Sequence, residues 1–370
     1  MKDSDIHLSV TVIIPTYNEK DNMGILFDRI SKCLHHLNYE IIVVDDNSPD
    51  GTAQKVQELS RKYPVKLIVR KHEKGLATAD VEGFRHAAGE IFVVMDGDLQ
   101  HPPEKIMSLV DEIHRGADIA IGSRYKIENG FGEFNLIRKT MSKGANLLAK
   151  ILLRKLPDIK DIRSGFFALK RDVIKDVELK PAGYQILLEI LAVGKYKTVT
   201  EIGYTFSKRE KGKSKLGAGT IIDYIRYLIS LSWREGELLR FLKYCIIGAT
   251  GIVINTATLF FFTGILGMFY LLSSAAAYEV SIITNFIMND RWTFKELVIP
   301  GISNSFLTRA VYYNWTMVLG AVFGIVLLYI FTEFLNINYI ISNLVSILIV
   351  TVWRYYTSVT TVWKSEVQNV

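Results

Sequence analysis

Residues 90–104 read EIFVVMDGDLQHPPE. The run from Ile91 to Met95 is apolar and ends abruptly in Asp96, Asp98 and Gln100, with Pro102 and Pro103 just beyond. A short apolar run closed by turn residues fits a strand buried on both faces. Working outward, the same unit recurs along the first part of the chain: LSVTVIIP, a helix from about Glu19, YEIIVVDD, a helix after Gly51, VKLIVR and a helix after Gly75. Beyond the quoted strand come a helix after Pro102 and the run ADIAIGS. Strand and helix in repetition predict an α/β domain with a mostly parallel sheet and helices on both faces. Sheets of this kind bind ligands at the carboxyl ends of their strands. Pro15, Tyr17, Asn18 and Glu19 follow the first strand, Asp45 and Asp46 the second, and Asp96, Asp98 and Gln100 the fourth.

Neither GxGxxG after the first strand nor GxxxxGK[ST] is present, so dinucleotide oxidoreductases and P-loop NTPases lack their phosphate cradle. A nucleotide site built on aspartates instead of a glycine loop handles diphosphate through a cation. The carboxylates of Asp96 and Asp98 and the amide oxygen of Gln100 are hard ligands suited to Mg²⁺ or Mn²⁺. A D-x-D by itself is usually a solvated turn; its place directly after IFVVM makes it a strand-end site.

The chain has 370 residues, 49% hydrophobic, with a formal net charge of +6. Its charges are unevenly spread: from Phe241 onward there are only six Lys/Arg and five Asp/Glu among the 82 charged residues. A soluble part is therefore expected to be joined to a membrane part, with four spans at about 244–266, 269–289, 310–332 and 338–360. The loop between the second and third spans carries Arg291, Lys295 and Arg309, whereas the other two breaks have no Lys or Arg. The positive-inside rule then places this loop, the soluble part and both termini in the cytoplasm of a multi-pass membrane protein. MKDSDIH mixes both charge signs and does not resemble a signal peptide. Cys33 and Cys245 lie far apart and indicate neither a disulfide framework nor zinc.

Two segments, 134–156 and 220–239, set apolar residues at helical spacing with cations between them, the pattern of helices lying in the bilayer interface. The alternative is core packing against the sheet. Within the spans, Glu279 is expected to hydrogen-bond Asn255 or Asn285, and Arg354 to snorkel to the membrane surface.

The pieces VIIPTYNE, EIIVVDDNSPDGT, KGLATA with EGF, VVMDGDLQHPPE, DIAIGSRY, SGFFALKRDV and KREKGKSKLG, in this order, resemble the family-2 glycosyltransferases of the GT-A type. The closest resemblance is to the dolichyl-phosphate or polyprenyl-phosphate mannose synthases. The tail, with ITNFIMNDRWTF, is similar to the small GtrA-like membrane domain fused to some members. The resemblance implies a GT-A nucleotide-sugar-binding catalytic domain over 1–217, interfacial helices over 218–240 and a four-helix membrane domain over 241–370. It implies mannosyl transfer from GDP-mannose to dolichyl (polyprenyl) phosphate at the lipid bilayer, with Mg²⁺ or Mn²⁺ and no nucleic acid. Carried over by position, Pro15, Tyr17, Glu19, Val44, Asp46, Asp96 and Gly97 contact the nucleotide, and Asp98 and Gln100 hold the metal. Arg124, Arg138, Gln185, Arg209 and Lys215 contact sugar, diphosphate or acceptor phosphate, with Arg124, Arg138 and Arg209 as the catalytic cations. The sequence departs from the pattern at Gly97 (commonly alanine), Asp80 (commonly small or apolar) and Gln185 (commonly basic).

Independently of the family, an acceptor phosphate and a departing diphosphate repel one another unless cations intervene, and arginine forks suit phosphate oxygens. Taken singly, Arg124 and Arg138 are equally readable as surface charges, and the loop around Arg209 as a basic segment attracted to lipid head groups. The acceptor phosphate is already largely ionised, which removes the need for a protein base; Asp96 or Asp98 as base is the weaker alternative. Two rival functions share these features: a UDP-glucose-dependent polyprenyl-phosphate glucosyltransferase, and a non-catalytic lipid-linked sugar translocase subunit.

Overall fold

The apolar runs close into one sheet in the computed structural model, which describes residues 9–127, 136–153, 156–205, 218–299 and 303–364. Contacts divide the chain into two compact units, Met1–Glu235 and Gly236–Val370. In the first, chain order runs β1 (Val10–Thr16), α1 (Lys20–Leu34), β2 (Tyr39–Asp45), α2 (Thr52–Leu59), β3 (Val65–Val69), α3 (Leu76–His86) and β4 (Ile91–Val94). It continues with α4 (Ile106–His114), β5 (Ile119–Ser123), α5 (Leu136–Leu152), β6 (Phe167–Lys170), α6 (Ile186–Val193), β7 (Val199–Gly203) and α7 (Ala218–Arg234).

The seven strands are ordered β3-β2-β1-β4-β6-β5-β7. All neighbours are parallel except β6, which lies antiparallel between β4 and β5. The sheet is thus mostly parallel, as the alternating pattern predicts. Strand periodicity sorts the core into two layers: Ile13 faces one, with Phe84 and Phe92, while Val12 and Ile14 face the other, with Met23, Leu26 and Phe27 of α1.

The two amphipathic segments differ from the expectation of purely interfacial helices. Ala149 of α5 and Tyr224, Tyr227, Leu228 and Leu231 of α7 belong to the protein core. The hydroxyls of Tyr224 and Ser232 donate to the carbonyls of Ala145 and Leu152, each at 2.9 Å. Arg234 grips the fully buried Glu189 of α6 through two hydrogen bonds of 2.8 Å, and the Tyr227 hydroxyl donates to the same carboxylate at 2.6 Å. The other face of α7 leaves Ile222, Ile225, Ile229 and Trp233 exposed. One face packs because a buried carboxylate on α6 fixes it, while the apolar residues of the opposite face stay exposed.

In the second unit, among the described residues, four helices are long and apolar enough to cross a membrane: Glu237–Ile265, Tyr270–Thr293, Phe306–Phe334 and Tyr339–Val362. Their α-helical parts are α8 (Glu237–Phe260), α9 (Tyr270–Met288), α10 (Phe306–Tyr329) and α11 (Tyr339–Thr357), each followed by a π-helical turn. The second pair repeats the first. α8 and α10 have 24 residues each and α9 and α11 have 19, and every boundary recurs at the distance from Glu237 to Phe306, 69 positions. Tyr244 and Tyr313, Gly251 and Gly320, and Phe294 and Trp363 are related by this offset.

Aromatic rings from all four spans close one end of this unit, with Trp363 stacked on Phe294 at 4.2 Å. Beside them Arg309 pairs with Asp290 at 2.9 and 3.0 Å, and the Trp363 indole donates to Asp290 at 2.8 Å. Glu279 takes its hydrogen bond from Asn314 of α10 at 2.8 Å, so its partner is neither Asn255 nor Asn285. Arg354 does not snorkel; it turns inward and donates to the Met317 carbonyl at 2.7 Å.

Two predictions follow from α3, whose buried face includes Asp80 and Gly83. A Cβ at Gly83 would overlap the fully buried Ile13 side chain. Gly83→Ala should therefore destabilise the chain by about 1–3 kcal/mol, read as a lower melting temperature in detergent. Asp80 is 1% exposed and one of its oxygens, Oδ1, has no hydrogen-bond partner among the described residues. Burial, with Asp96 nearby and against the pull of Arg70, holds its carboxyl well above the usual range. The unfolded chain then releases this proton at lower pH than the folded one, so stability falls as pH rises above about 4. Asp80→Asn should raise the melting temperature at pH 7.5 and lose this advantage near pH 4; an equal effect at both pH values would contradict the burial argument.

Candidate active site

The loops after β1 and β2 are sewn together by short polar side chains. The Asp45 carboxylate, fully buried, accepts from the Thr16 hydroxyl at 3.1 Å and from the Ser48 amide and hydroxyl at 2.8 and 2.5 Å. The Asn18 amide donates to Ser48 Oγ at 2.9 Å, the Glu19 amide to Thr52 Oγ1 at 3.0 Å and the Lys20 amide to Asp50 at 3.1 Å. Asn18 and Asn47 take positive φ, of 63° and 55°, a conformation asparagine tolerates better than most residues. Asp45 is thereby a framework residue, as is Asp50.

Asp46, expected at the nucleotide, lies 7% exposed against Arg70, the residue that follows β3. Arg70 Nε donates to it at 2.7 Å, Arg70 Nη2 also pairs with it, and the Gly75 amide donates to its second oxygen at 2.7 Å. Arg70 further reaches Thr78 Oγ1 at 2.9 Å and the Gly75 carbonyl at 2.8 Å. Sequence reading missed Arg70; the signal was a lone arginine closing the run VKLIV, beside the strand that Asp46 follows. Tyr17 is 40% exposed, with the Lys74 ammonium 5.2 Å from its ring centre. Val44 is fully buried in the core, and Pro15, its register partner on β1, is also buried, so these residues set the backbone at the strand ends.

After β4 the chain turns through Asp96, Gly97, Asp98, Leu99 and Gln100. Leu99 has φ 62°, a left-handed conformation that is strained for leucine and is typical of functional turns. The Gln100 amide donates to Asp98 Oδ1 at 3.1 Å, holding the two proposed metal ligands on one turn. A Cβ at Gly97 would come within 3.1 Å of Thr16 and 3.2 Å of Met23, a tight fit against two side-chain ends. His101 anchors the turn from below: its Nδ1 accepts from the Asp96 amide at 3.0 Å, and its ring stacks on Phe166 at 5.3 Å. Burial, with Arg124 nearby, pushes its pKa down to about 3, so the ring stays neutral and its proton sits on Nε2. Asp98 and Gln100 supply one carboxylate and one amide oxygen. Among the described residues no cluster of three His, Cys, Asp or Glu could hold a metal by itself. This donor set fits a hard divalent cation that takes its remaining ligands from substrate phosphate and water.

Arg124, at the end of β5, donates through Nε and Nη2 to the buried Asp161 at 2.8 and 2.7 Å, and Asp161 also accepts its amide. Its guanidinium is thus oriented by a carboxylate that sequence reading did not single out. Arg163, two residues on, joins Asn146 at 2.9 Å and Ser142 of α5, with Tyr224 of α7 against its guanidinium at 5.2 Å. Gln185 caps α6, its Oε1 buried without a partner among the described residues, and the turn before it meets α3 where the Ala77 amide donates to the Gly183 carbonyl at 3.2 Å. The side chain of Arg138 and the whole of Arg209 and Lys215 lie outside the described residues. The fold therefore brings the loops of β1, β2 and β4 to one sheet edge.

The family model for glycosyl transferase family 2 matches residues 11–178, and that for the GtrA/DPMS transmembrane domain matches residues 243–363. The chain is 46% identical over 362 residues to a dolichol-phosphate mannosyltransferase of Pyrococcus furiosus, covering 97% of this chain and 100% of that one. It is 34% identical over 237 residues to the dolichol-phosphate mannosyltransferase of Saccharomyces cerevisiae, covering 60% of this chain and 87% of that one. A crystal structure of Mycobacterium tuberculosis glucosyl-3-phosphoglycerate synthase with Mn²⁺, UDP and glucosyl-3-phosphoglycerate is 17% identical, with a TM-score of 0.46, covering 62% of this chain and 80% of that one. A mostly parallel sheet with its polar turns at one edge, four apolar helices after it and near full-length identity to one relative lead to one conclusion: the chain belongs to the dolichol-phosphate mannosyltransferase family of family-2 glycosyltransferases and carries a GtrA/DPMS membrane domain.

Proposed function

We propose that the enzyme transfers mannose from GDP-mannose to dolichyl phosphate at the cytoplasmic face of the membrane, with inversion at the anomeric carbon. The observation that carries this reading is the Asp98-Gln100 turn at the end of β4, in a chain whose full length matches a dolichol-phosphate mannosyltransferase. A phosphate oxygen of the acceptor attacks the anomeric carbon as the bond to GDP breaks. With a second pKa of about 6, that phosphate needs no protein base. Asp98 and Gln100 are the residues to hold Mg²⁺ or Mn²⁺, which when bound neutralises charge on the departing diphosphate. Tyr17, Glu19, Asp46 and Asp96 border the nucleotide, with the Arg70–Asp46 pair keeping that wall rigid. Arg124 is held by Asp161 for the sugar-diphosphate, and Arg138, Gln185, Arg209 and Lys215 are assigned to the phosphates. The exposed apolar face of α7 lies in the bilayer interface, so the acceptor phosphate is met at the membrane surface. The basic loop between the second and third spans supports a cytoplasmic catalytic unit.

Asp98→Ala should cut metal-dependent transfer by about 10²-fold or more with the melting temperature retained, and Gln100→Ala should give a milder defect of the same kind. Near-normal turnover of Asp98→Ala at saturating Mn²⁺ would remove the metal assignment. Arg209→Lys keeps the charge and loses the fork, so turnover should fall while the Michaelis constant for GDP-mannose barely moves. The donor itself is tested by heat stabilisation of the purified chain with Mg²⁺: GDP-mannose should raise the melting temperature and UDP-glucose should not. The reverse order would assign the chain to glucosyl transfer.

A further inference from the structure

The offset of 69 positions places two equivalent contacts inside the membrane unit. In the first helix pair the Asn285 side chain lies over Gly251; in the second the Arg354 side chain lies over Gly320. A Cβ on either glycine would overlap the polar side chain above it, so both glycines are there to admit that side chain. The same packing is therefore built once with a neutral amide and once with a cation. In the first pair the place over the glycine is filled without a charge.

Among the described residues that charge is not neutralised. Arg354 Nη2 donates to the Met317 carbonyl, while Nε is buried and has no hydrogen-bond partner among the described residues. Among the described residues no carboxylate pairs with it, although Arg240 and Arg309 of the same unit each have one. Arg354 is eight residues before the end of its span at Val362, about 12 Å along the helix. The Tyr244 and Tyr313 side chains, themselves an offset-related pair, lie within electrostatic range of the guanidinium. An uncompensated cation at this depth is costly. A guanidinium edge is suited to phosphate oxygens.

We propose that Arg354 is the centre of a phosphate-lipid site in the membrane unit, separate from the strand-end site. The ligand class is a phosphate carried on an apolar chain, because a free anion does not partition to this depth. A polyprenyl phosphate and a phosphoglycerolipid both supply that chemistry. The inference rests on the four helices spanning a bilayer and is independent of which sugar donor the catalytic unit uses.

The full-length chain in detergent is titrated with a short-chain polyprenyl phosphate, with phosphatidylglycerol and with the neutral polyprenol, and bound lipid is counted by native mass spectrometry. Wild type should retain one more phosphate lipid than Arg354→Asn, the residue type that serves at the related position, or hold it about tenfold more tightly. Arg354→Lys should retain part of this binding, and the neutral alcohol should not distinguish the variants. Sugar transfer by Arg354→Asn should stay within about twofold of wild type. Preference for polyprenyl phosphate over phosphatidylglycerol identifies the lipid-linked substrate class as the ligand, and the opposite preference identifies bulk phospholipid. Equal retention of phosphate lipids by wild type and a folded Arg354→Asn overturns the site. Should Arg354→Asn fail to fold, wild type is labelled with a lipid carrying a photoreactive group beside its phosphate. Labelling of α10 and α11 around Gly320 and Arg354 supports the site, and labelling confined to other segments overturns it.

Discussion

The buried pair between Asp46 and Arg70 is the constraint on which the carboxyl end of the sheet depends. Two parallel strands, β2 and β3, end side by side, and the chain must then leave β3 and enter α3 through Gly75, whose φ is 143°. One carboxylate receives the arginine and the Gly75 amide, while the arginine also holds the Gly75 carbonyl and Thr78. A single ion pair thus ties two strand ends to the first turn of a helix. Because it is buried, losing either partner would strand an uncompensated charge, at a cost of about 3–5 kcal/mol.

The same economy separates two kinds of aspartate that look alike in sequence. Asp45, Asp50 and Asp161 are consumed by hydrogen bonds to nearby hydroxyls, amides or an arginine, and they hold loops in place. Asp98 is given a different neighbourhood: a strained left-handed Leu99 follows it, and a neutral histidine packs beneath the turn. Burial keeps that histidine uncharged, so it supports the Asp96 amide without placing a cation against the proposed metal ligands.

In the membrane unit the governing constraint is close approach of helices. Apolar side chains gain little from one another in lipid, so contact is built by small residues and interhelical hydrogen bonds. Gly251 and Gly320 provide that approach, and Ser281 donates to the Gly251 carbonyl at 2.8 Å. The repeated helix pair makes the departure from symmetry legible: where one copy has an amide, the other has a guanidinium.

Read alone, the residues settle the order of elements, because periodicity and turn chemistry are local. The apolar runs, the helices after Gly51 and Gly75, the strand-end position of Asp98 and the four long apolar helices were all legible, since each depends only on residues near it in the chain. The family order of short pieces added the residues to be tested at the site. What pairs with what was decided by the tertiary structure. Asp46 meets Arg70 across 24 positions, Arg124 meets Asp161 across 37, and Glu279 meets Asn314 across 35. The antiparallel place of β6 between β4 and β5, and the packing of one face of α7 through Glu189, are of the same kind. The 69-position repeat escaped notice because it is carried by helix boundaries and by which side chain lies over a glycine, with few identical residues to announce it. Burial, charge compensation and close packing are properties of neighbours in space, and only the folded chain decides who those neighbours are.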